Sequence, residues 1–474
     1  MQKRKIFCLI MLCCLLTGCA ESDREIAEIP EIQESTEITE TQEITETETI
    51  PEINPETSPE TEVTESSIES TEVTESTTET TTESVTETIP EETIPPETIE
   101  TLPVFPAPES VFFNTPEMLE AGQRIKLENF ILDTNIILQD PGILVDTSQI
   151  GIFEIPVAYH YGTEIREQII TYEVSDTMPP VILNNGSGAF VRTGGEFNLR
   201  NLIGYGDAED PSPSLTYDGD VDTSTPGIYP VTAYITDRSG NQSVCNLTVT
   251  VGDTTPNTNS TRPQMYFQDF ISQYNDPGLG TVFGIDVSKW QGYIDYNAVK
   301  QAGCEFVLLR IGASYNNPPQ MDEYYFYNID SAKQAGLQVG VYFYTTDTTE
   351  EQIRADVAWI IENLDGRELD FPVVFDWEDF QHFQKYGISF YELNRLYQVF
   401  SEELRQSGYD AMLYGSKNYL ENIWGMPSDC PVWLAHYTTQ TNYAGNYQFW
   451  QRTDAGLMPG ISVPVDFDIY YNSN

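Results

Sequence analysis

The chain has 474 residues, more than one small domain needs, and carries 75 Asp and Glu against 22 Lys and Arg, a formal net charge of −53. That balance excludes nucleic acid and polybasic membrane binding, both of which need clustered positive charge. The charge is uneven: residues 21–100 hold 26 acidic side chains against Arg24 alone.

The N-terminus has the pattern of a targeting segment. Lys3, Arg4 and Lys5 precede an apolar run from Ile6 to Leu16. Leu16-Thr17-Gly18-Cys19 then resembles the lipobox of bacterial lipoproteins. The resemblance implies a signal peptide over 1–18, cleavage before Cys19 and lipid on its thiol. No later stretch approaches the ~20 apolar residues of a spanning helix. The expected location is therefore extracytoplasmic, lipid-anchored to the bacterial cell membrane and reaching into the wall.

Three cysteines lie beyond Cys19: Cys245, Cys304 and Cys430. An odd, widely spaced set implies no disulfide framework. A bridge between Cys304 and Cys430 is one option and two buried free thiols the other. His160, His382 and His436 form no ligand cluster with them, so neither a metal site nor a cofactor is expected.

Residues 19–105 are dominated by Thr, Glu, Ile and Pro, with no aromatic residue between Glu21 and Val104. Such a segment cannot bury enough apolar surface to overcome its ordering entropy, and its charge repels itself. The expectation is a disordered acidic stalk that spaces the C-terminal part from the membrane.

A repeat follows. Val145-Asp146-Thr147-Ser148-Gln149-Ile150-Gly151-Ile152-Phe153 recurs as Val221-Asp222-Thr223-Ser224-Thr225-Pro226-Gly227-Ile228-Tyr229. Thr171–Thr177 recurs in the same way as Thr248–Thr254. Short alternating runs punctuated by Gly, Pro and Asp predict two small β-sandwiches, over 106–177 and 178–253. Asp237-Arg238-Ser239-Gly240-Asn241 is placed as a hairpin turn. These units resemble bacterial immunoglobulin-like modules of surface proteins, which implies a spacer role first and wall or glycan binding second. A linker is expected over 254–279.

From 280 to 474 strands and helices alternate. Strands are predicted at Phe283–Val287, Phe306–Ile311, Val339–Tyr344, Val373–Trp377, Ala411–Tyr414, Val432–Ala435, Gln448–Trp450 and Pro464–Ile469. Helices are predicted at Tyr296–Ala302, Met321–Ala335, Thr349–Asn363, Ser389–Gln406 and Lys417–Ile423. After the sixth strand the gaps are too short for full helices. Eight strands and about five helices make an incomplete TIM-like α/β barrel.

The strand Phe371-Pro-Val-Val-Phe-Asp-Trp-Glu-Asp379 carries the chemistry. Its apolar run predicts burial on both faces. Asp376 and Glu378, two residues apart, share a face roughly 6.6 Å apart along the strand. Like carboxyls at the C-terminal end of a buried strand resist joint ionisation, at the end of a barrel where chemistry sits.

The C-terminal motifs together resemble glycoside hydrolase family 25, the Chalaropsis-type lysozymes. They are Gly284-Ile285-Asp286-Val287-Ser288-Lys289-Trp290-Gln291-Gly292, the Asp376-Trp377-Glu378 pattern, Val432-Trp433-Leu434-Ala435-His436-Tyr437, Phe449-Trp450-Gln451 and Val465-Asp466-Phe467-Asp468. The resemblance implies hydrolysis of the β-1,4 bond between N-acetylmuramic acid and N-acetylglucosamine in peptidoglycan. It implies Glu378 as general acid, Asp376 orienting or stabilising the sugar, and Asp286 and Asp466 completing an acidic floor, with Asp468 as the alternative to Asp466. Arg310, Tyr344, Trp433, Tyr437 and Gln451 are candidates for sugar binding. The expected partners are peptidoglycan glycan strands and, through lipid, the membrane; the expected state is a monomer. The alternative function is a catalytically inactive wall-binding surface protein or adhesin.

Overall fold

The computed structural model describes residues 118–132, 135–255, 262–315, 318–425 and 430–472. The expected signal peptide, Cys19 and the acidic stalk lie outside the described residues. Among the described residues no helix is long and apolar enough to cross a membrane.

Two β domains come first, with one plan. In the first, Gly151–Tyr161 and Glu164–Ser175 form an antiparallel hairpin, flanked by Ile136–Leu138 and, in parallel, by Leu119–Glu120. In the second, Gly227–Thr236 and Gln242–Gly252 form the equivalent hairpin, flanked by Ser214–Asp218 and, in parallel, by Phe190–Arg192. The sequence repeat maps onto these hairpins, since Gly151 and Gly227 each open the first strand. Alternation with period two buries one face, for example Val231, Ala233 and Ile235 in the second domain. Asp237 does close the hairpin turn, its N–H donating to Asn241 O at 3.1 Å. A small second sheet pairs Val181–Asn184 with Gly204–Gly206.

The linker expected over 254–279 is corrected in its latter part. Met265–Tyr266 adds a parallel strand, and Phe267–Tyr274 forms helix α1. Phe267 and Phe270 on α1 are buried against Phe467 and Phe283, because aromatic residues at this spacing project from one helix face.

Eight strands then close a ring: β1 Thr281–Val287, β2 Phe306–Ser314, β3 Gln338–Thr345, β4 Val373–Trp377, β5 Ala411–Ser416, β6 Val432–Ala435, β7 Phe449–Leu457 and β8 Val465–Tyr471. Strands β1 to β7 are parallel, whereas β8 runs antiparallel between β7 and β1. The strand ring is thus complete, and it is the helical layer that is reduced. The helices are α2 Tyr296–Gln301, α3 Tyr325–Gln334, α4 Glu350–Leu364, α5 Phe390–Gln406 and α6 Lys417–Asn422. Helix α3 begins four residues later than its apolar pattern predicts. Gln320–Met321 pairs instead with β2, and the Asp322 carboxylate accepts from Tyr324 N at 3.0 Å.

Capping boxes open α4, where Thr349 pairs with Gln352, and α5, where Ser389 pairs with Glu392. Outward-facing Val307, Leu309, Val341, Phe343 and Phe375 pack under these helices in one core. Inward-facing Phe306, Phe371, Phe449 and Tyr470 plug the end of the barrel where the parallel strands begin, with Phe371 and Phe449 centroids 5.1 Å apart. The opposite end, where those strands finish, stays polar.

Candidate active site

Strand β4 places the two central carboxylates. Phe375 and Trp377 face the helices, so Val374 and Asp376 face the barrel interior, and Glu378 follows one residue past the strand end. Asp376 is buried and Glu378 half-buried at the mouth. Asp286 comes from the C-terminal end of β1. Because β8 is antiparallel, Asp466 lies opposite Asp286 near the mouth. Asp468 lies deeper, opposite Gly284 and Gln451. The structure therefore brings both together in one cluster, and the two β8 aspartates differ in depth.

Asp286 is the electrostatic centre of this group. Burial first, and its charge second, push Glu378 up to about 7, with Asp379 adding to the effect. Asp376 is held well above the carboxylate range by burial, then by Glu378 and Asp286, with nearby Arg310 acting in the opposite sense. Asp466 and Asp468 are raised by burial and by Asp286. Burial pushes Asp286 itself up to about 6, and hydrogen bonds from Gln451 and Asp468 limit the rise. The interaction between the Asp286 and Asp468 carboxyls lowers the first and raises the second.

The surrounding residues anchor this cluster. Gln451 Nε2 donates to Asp286 Oδ2 at 2.8 Å, and its Oε1 accepts from Tyr414 and Tyr437, each at 2.8 Å. Trp433 Nε1 donates to Asp468 Oδ1 at 2.8 Å. Arg310 holds Asp322 Oδ2 through Nε at 2.8 Å and Nη2 at 2.7 Å, and the same oxygen accepts from Lys289 N.

Several sugar-binding expectations change accordingly. Trp433 is 1% exposed inside the barrel, so it does not line the mouth. Gln451 is buried and orients Asp286, and the Arg310 fork is engaged by Asp322. Tyr344 does stand at the mouth, half-buried, its ring 5.2 Å from exposed Tyr315. Tyr437 is half-buried, with the Arg262 guanidinium 4.4 Å over its ring. Sequence reasoning missed Tyr414, Tyr315 and Asp322. Of these Tyr414 had a usable signal, as it ends the apolar run of β5 on the inward face.

Another missed feature adjoins Glu378. Asp379 has φ 111°, a left-handed conformation costly for a side chain. Its carboxylate is held by His382 Nδ1 at 3.0 Å and by Tyr386 OH at 2.8 Å.

Two stretches of the chain match known protein families. Residues 285–461 match the family model described as Glycosyl hydrolases family 25, and residues 182–251 match the one described as Bacterial surface protein, Ig-like domain. YegX of Escherichia coli (strain K12) is 28% identical over 200 residues, covering 41% of this chain and 71% of that protein. The autolytic lysozyme of Clostridium acetobutylicum is 31% identical over 191 residues, covering 39% of this chain and 54% of that protein. A bacterial lysozyme structure from Streptomyces coelicolor superposes with a TM-score of 0.36 at 25% identity, over 41% of this chain and 93% of that one. Residues 285–461 are thus a glycosyl hydrolase family 25 domain, preceded in the same chain by a bacterial surface immunoglobulin-like domain over 182–251.

Proposed function

We propose that the chain hydrolyses the β-1,4 bond between N-acetylmuramic acid and N-acetylglucosamine of peptidoglycan, with Glu378 as general acid. The observation that carries this reading is the gathering of Glu378, Asp376, Asp286 and Asp466 at the open end of the barrel, about a buried Asp286. Glu378, raised to about 7, keeps a substantial protonated fraction at neutral pH and so has a proton to give the leaving oxygen. Asp376 Oδ1 is buried and has no hydrogen-bond partner among the described residues, which suits an acceptor for the N–H of the substrate's acetamido group. In that position Asp376 orients the acetamide toward the anomeric carbon, and the Asp286 carboxylate below offsets the positive charge that develops on the ring. Tyr344 and Tyr315 offer an aromatic wall for the sugar face.

The family likeness of this domain supports action on peptidoglycan, which lies outside the cytoplasm. The lipobox-like Leu16–Cys19 supports lipid attachment there, with the acidic segment spacing the enzyme from the bilayer. Mass spectrometry of fragments released from purified peptidoglycan by the full chain tests the bond cleaved. N-acetylmuramic acid at the reducing end is expected. N-acetylglucosamine at that end, or no release by folded protein, overturns the reading.

A further inference from the structure

We propose that the immunoglobulin-like domain over 182–251 is a positioning element of the catalytic site, holding the turn that follows Glu378 through Gln384 and a glycine-cleared strand. The functional half of this inference rests on the muramidase reading; the docking half does not.

The turn Phe380–Lys385 leaves β4 immediately after Glu378 and Asp379. Its aromatics enclose Trp377, the residue between the two central carboxylates. Phe380, Phe383 and Tyr386 have ring centroids 5.1, 5.6 and 5.1 Å from Trp377. Tyr386 also holds Asp379, whose strained backbone aims the segment bearing Glu378. Whatever fixes this turn therefore fixes the acid.

The fixing groups come from the neighbouring domain. Gln384 is 3% exposed and satisfies both ends of its amide there. Its Nε2 donates to Arg200 O at 2.7 Å and Ile203 O at 2.9 Å, and its Oε1 accepts from Tyr205 N at 3.3 Å. Arg200 Nη2 returns a bond to Gln384 O at 2.8 Å. Buried amides satisfied this fully specify one docking geometry.

The strand Gly204-Tyr205-Gly206 is cut to fit. By strand alternation Tyr205 fills the core of its own domain, while both glycines face the turn. A Cβ on Gly204 would lie 2.5 Å from Gln381 O and 2.7 Å from Phe380 O. One on Gly206 would lie 2.6 Å from both Phe383 and Phe390. Two carbonyls of the same domain then complete the start of α5. Asp207 O accepts from Phe390 N at 2.8 Å and Ala208 O from Tyr391 N at 3.1 Å, serving donors that a helix N-terminus leaves unpaired. Leu183 of this domain is itself part of the barrel's outer core. An independent spacer has no use for such shared backbone pairing.

The test uses the full chain carrying Gly204→Ala or Gln384→Ala, with Ile228→Ala, on an exposed position of the same domain, as control. Amide hydrogen exchange and steady-state kinetics on peptidoglycan are read together. Both test variants should exchange faster over Phe380–Tyr386, and kcat should fall about 10- to 100-fold with KM within about threefold, the signature of a misplaced catalytic group. Ile228→Ala should match wild type. Unchanged exchange, or kcat within about twofold of wild type in whichever variant folds, overturns the inference. Should wild type itself show no lytic activity, the muramidase reading fails alone, and the exchange data still decide the docking.

Discussion

Gln451 and Asp286 form the hinge of the acidic cluster: the amide donates to the carboxylate at 2.8 Å while two tyrosine hydroxyls, from Tyr414 and Tyr437, pin its other end. The two tyrosines fix which way the amide faces. With both hydroxyls donating to Oε1, Nε2 must point at Asp286. Gln451→Leu keeps the volume and removes the donor. A hydrogen bond to a charged group contributes ~1.5–3 kcal/mol, so kcat should fall about 10- to 100-fold. Asp286 should then hold its proton to higher pH, moving the acid limb of the rate profile upward. A rate and profile equal to wild type would remove Gln451 from the catalytic arrangement.

Glu378 carries the proton in the proposed chemistry. Its protonated form is the active one, so the rate should fall as pH rises through about 7. Glu378→Gln should lower kcat by ~10²–10⁴-fold or more and leave thermal stability at neutral pH equal or higher, since a negative charge close to Asp286 and Asp379 is removed. A variant that keeps more than about a tenth of the wild-type rate assigns the acid to another residue.

Much of this site was legible in the sequence because strand alternation and strand order carry it. The shared face of Asp376 and Glu378 follows from period-two patterning, whereas Asp286 entered through the family resemblance. Which of Asp466 and Asp468 lies nearer the mouth did not follow from patterning, since both share one face. It required the antiparallel direction of β8, which is a property of tertiary closure. Trp433 and Gln451 also face inward, as alternation predicts, but their depth depends on the strand stagger that closing a barrel imposes. The helix at Phe267–Tyr274 has a helical pattern in Phe267, Phe270, Ile271 and Tyr274, but the run is only eight residues long and adjoins a polar linker, with which it merges in the sequence. Gly204 and Gly206 carry no signal in the sequence, and only the approach of the Gln381 and Phe380 carbonyls to the first and of the Phe383 and Phe390 rings to the second gives them a purpose.

The anchor is testable without the barrel. If Cys19 carries lipid, Cys19→Ser should move the protein from the membrane fraction to the medium or leave the leader uncleaved. Membrane retention of a cleaved Cys19→Ser chain would refute the lipobox reading.

A second buried carboxyl pair, Asp347 and Asp356, lies beside β4 and has a separate consequence for stability. Asp347 accepts from Ser314 Oγ at 2.6 Å, its backbone carbonyl accepts from Trp377 Nε1 at 3.0 Å, and Thr345 Oγ1 donates to Asp356 at 3.3 Å. Burial, then the charge and hydrogen bond of Asp347, push Asp356 up to about 8. A carboxyl raised in the folded state contributes stability that is fully present below its unfolded value of roughly 4 and is lost as pH rises through the folded one. The folded chain thus binds the extra proton between about 4 and 8, and its stability should decline across that window. Asn at 356 keeps a donor toward Asp347 and cannot ionise. Asp356→Asn should therefore match wild type in melting temperature below about pH 4, where both states hold the proton, and exceed it by about 3 °C or more near pH 9. Reading the two melting curves against pH isolates this residue from the mouth carboxylates, which both proteins share. A difference that stays constant from pH 5 to pH 9 would show that Asp356 is already ionised in the fold and that Asp347 does not share its proton.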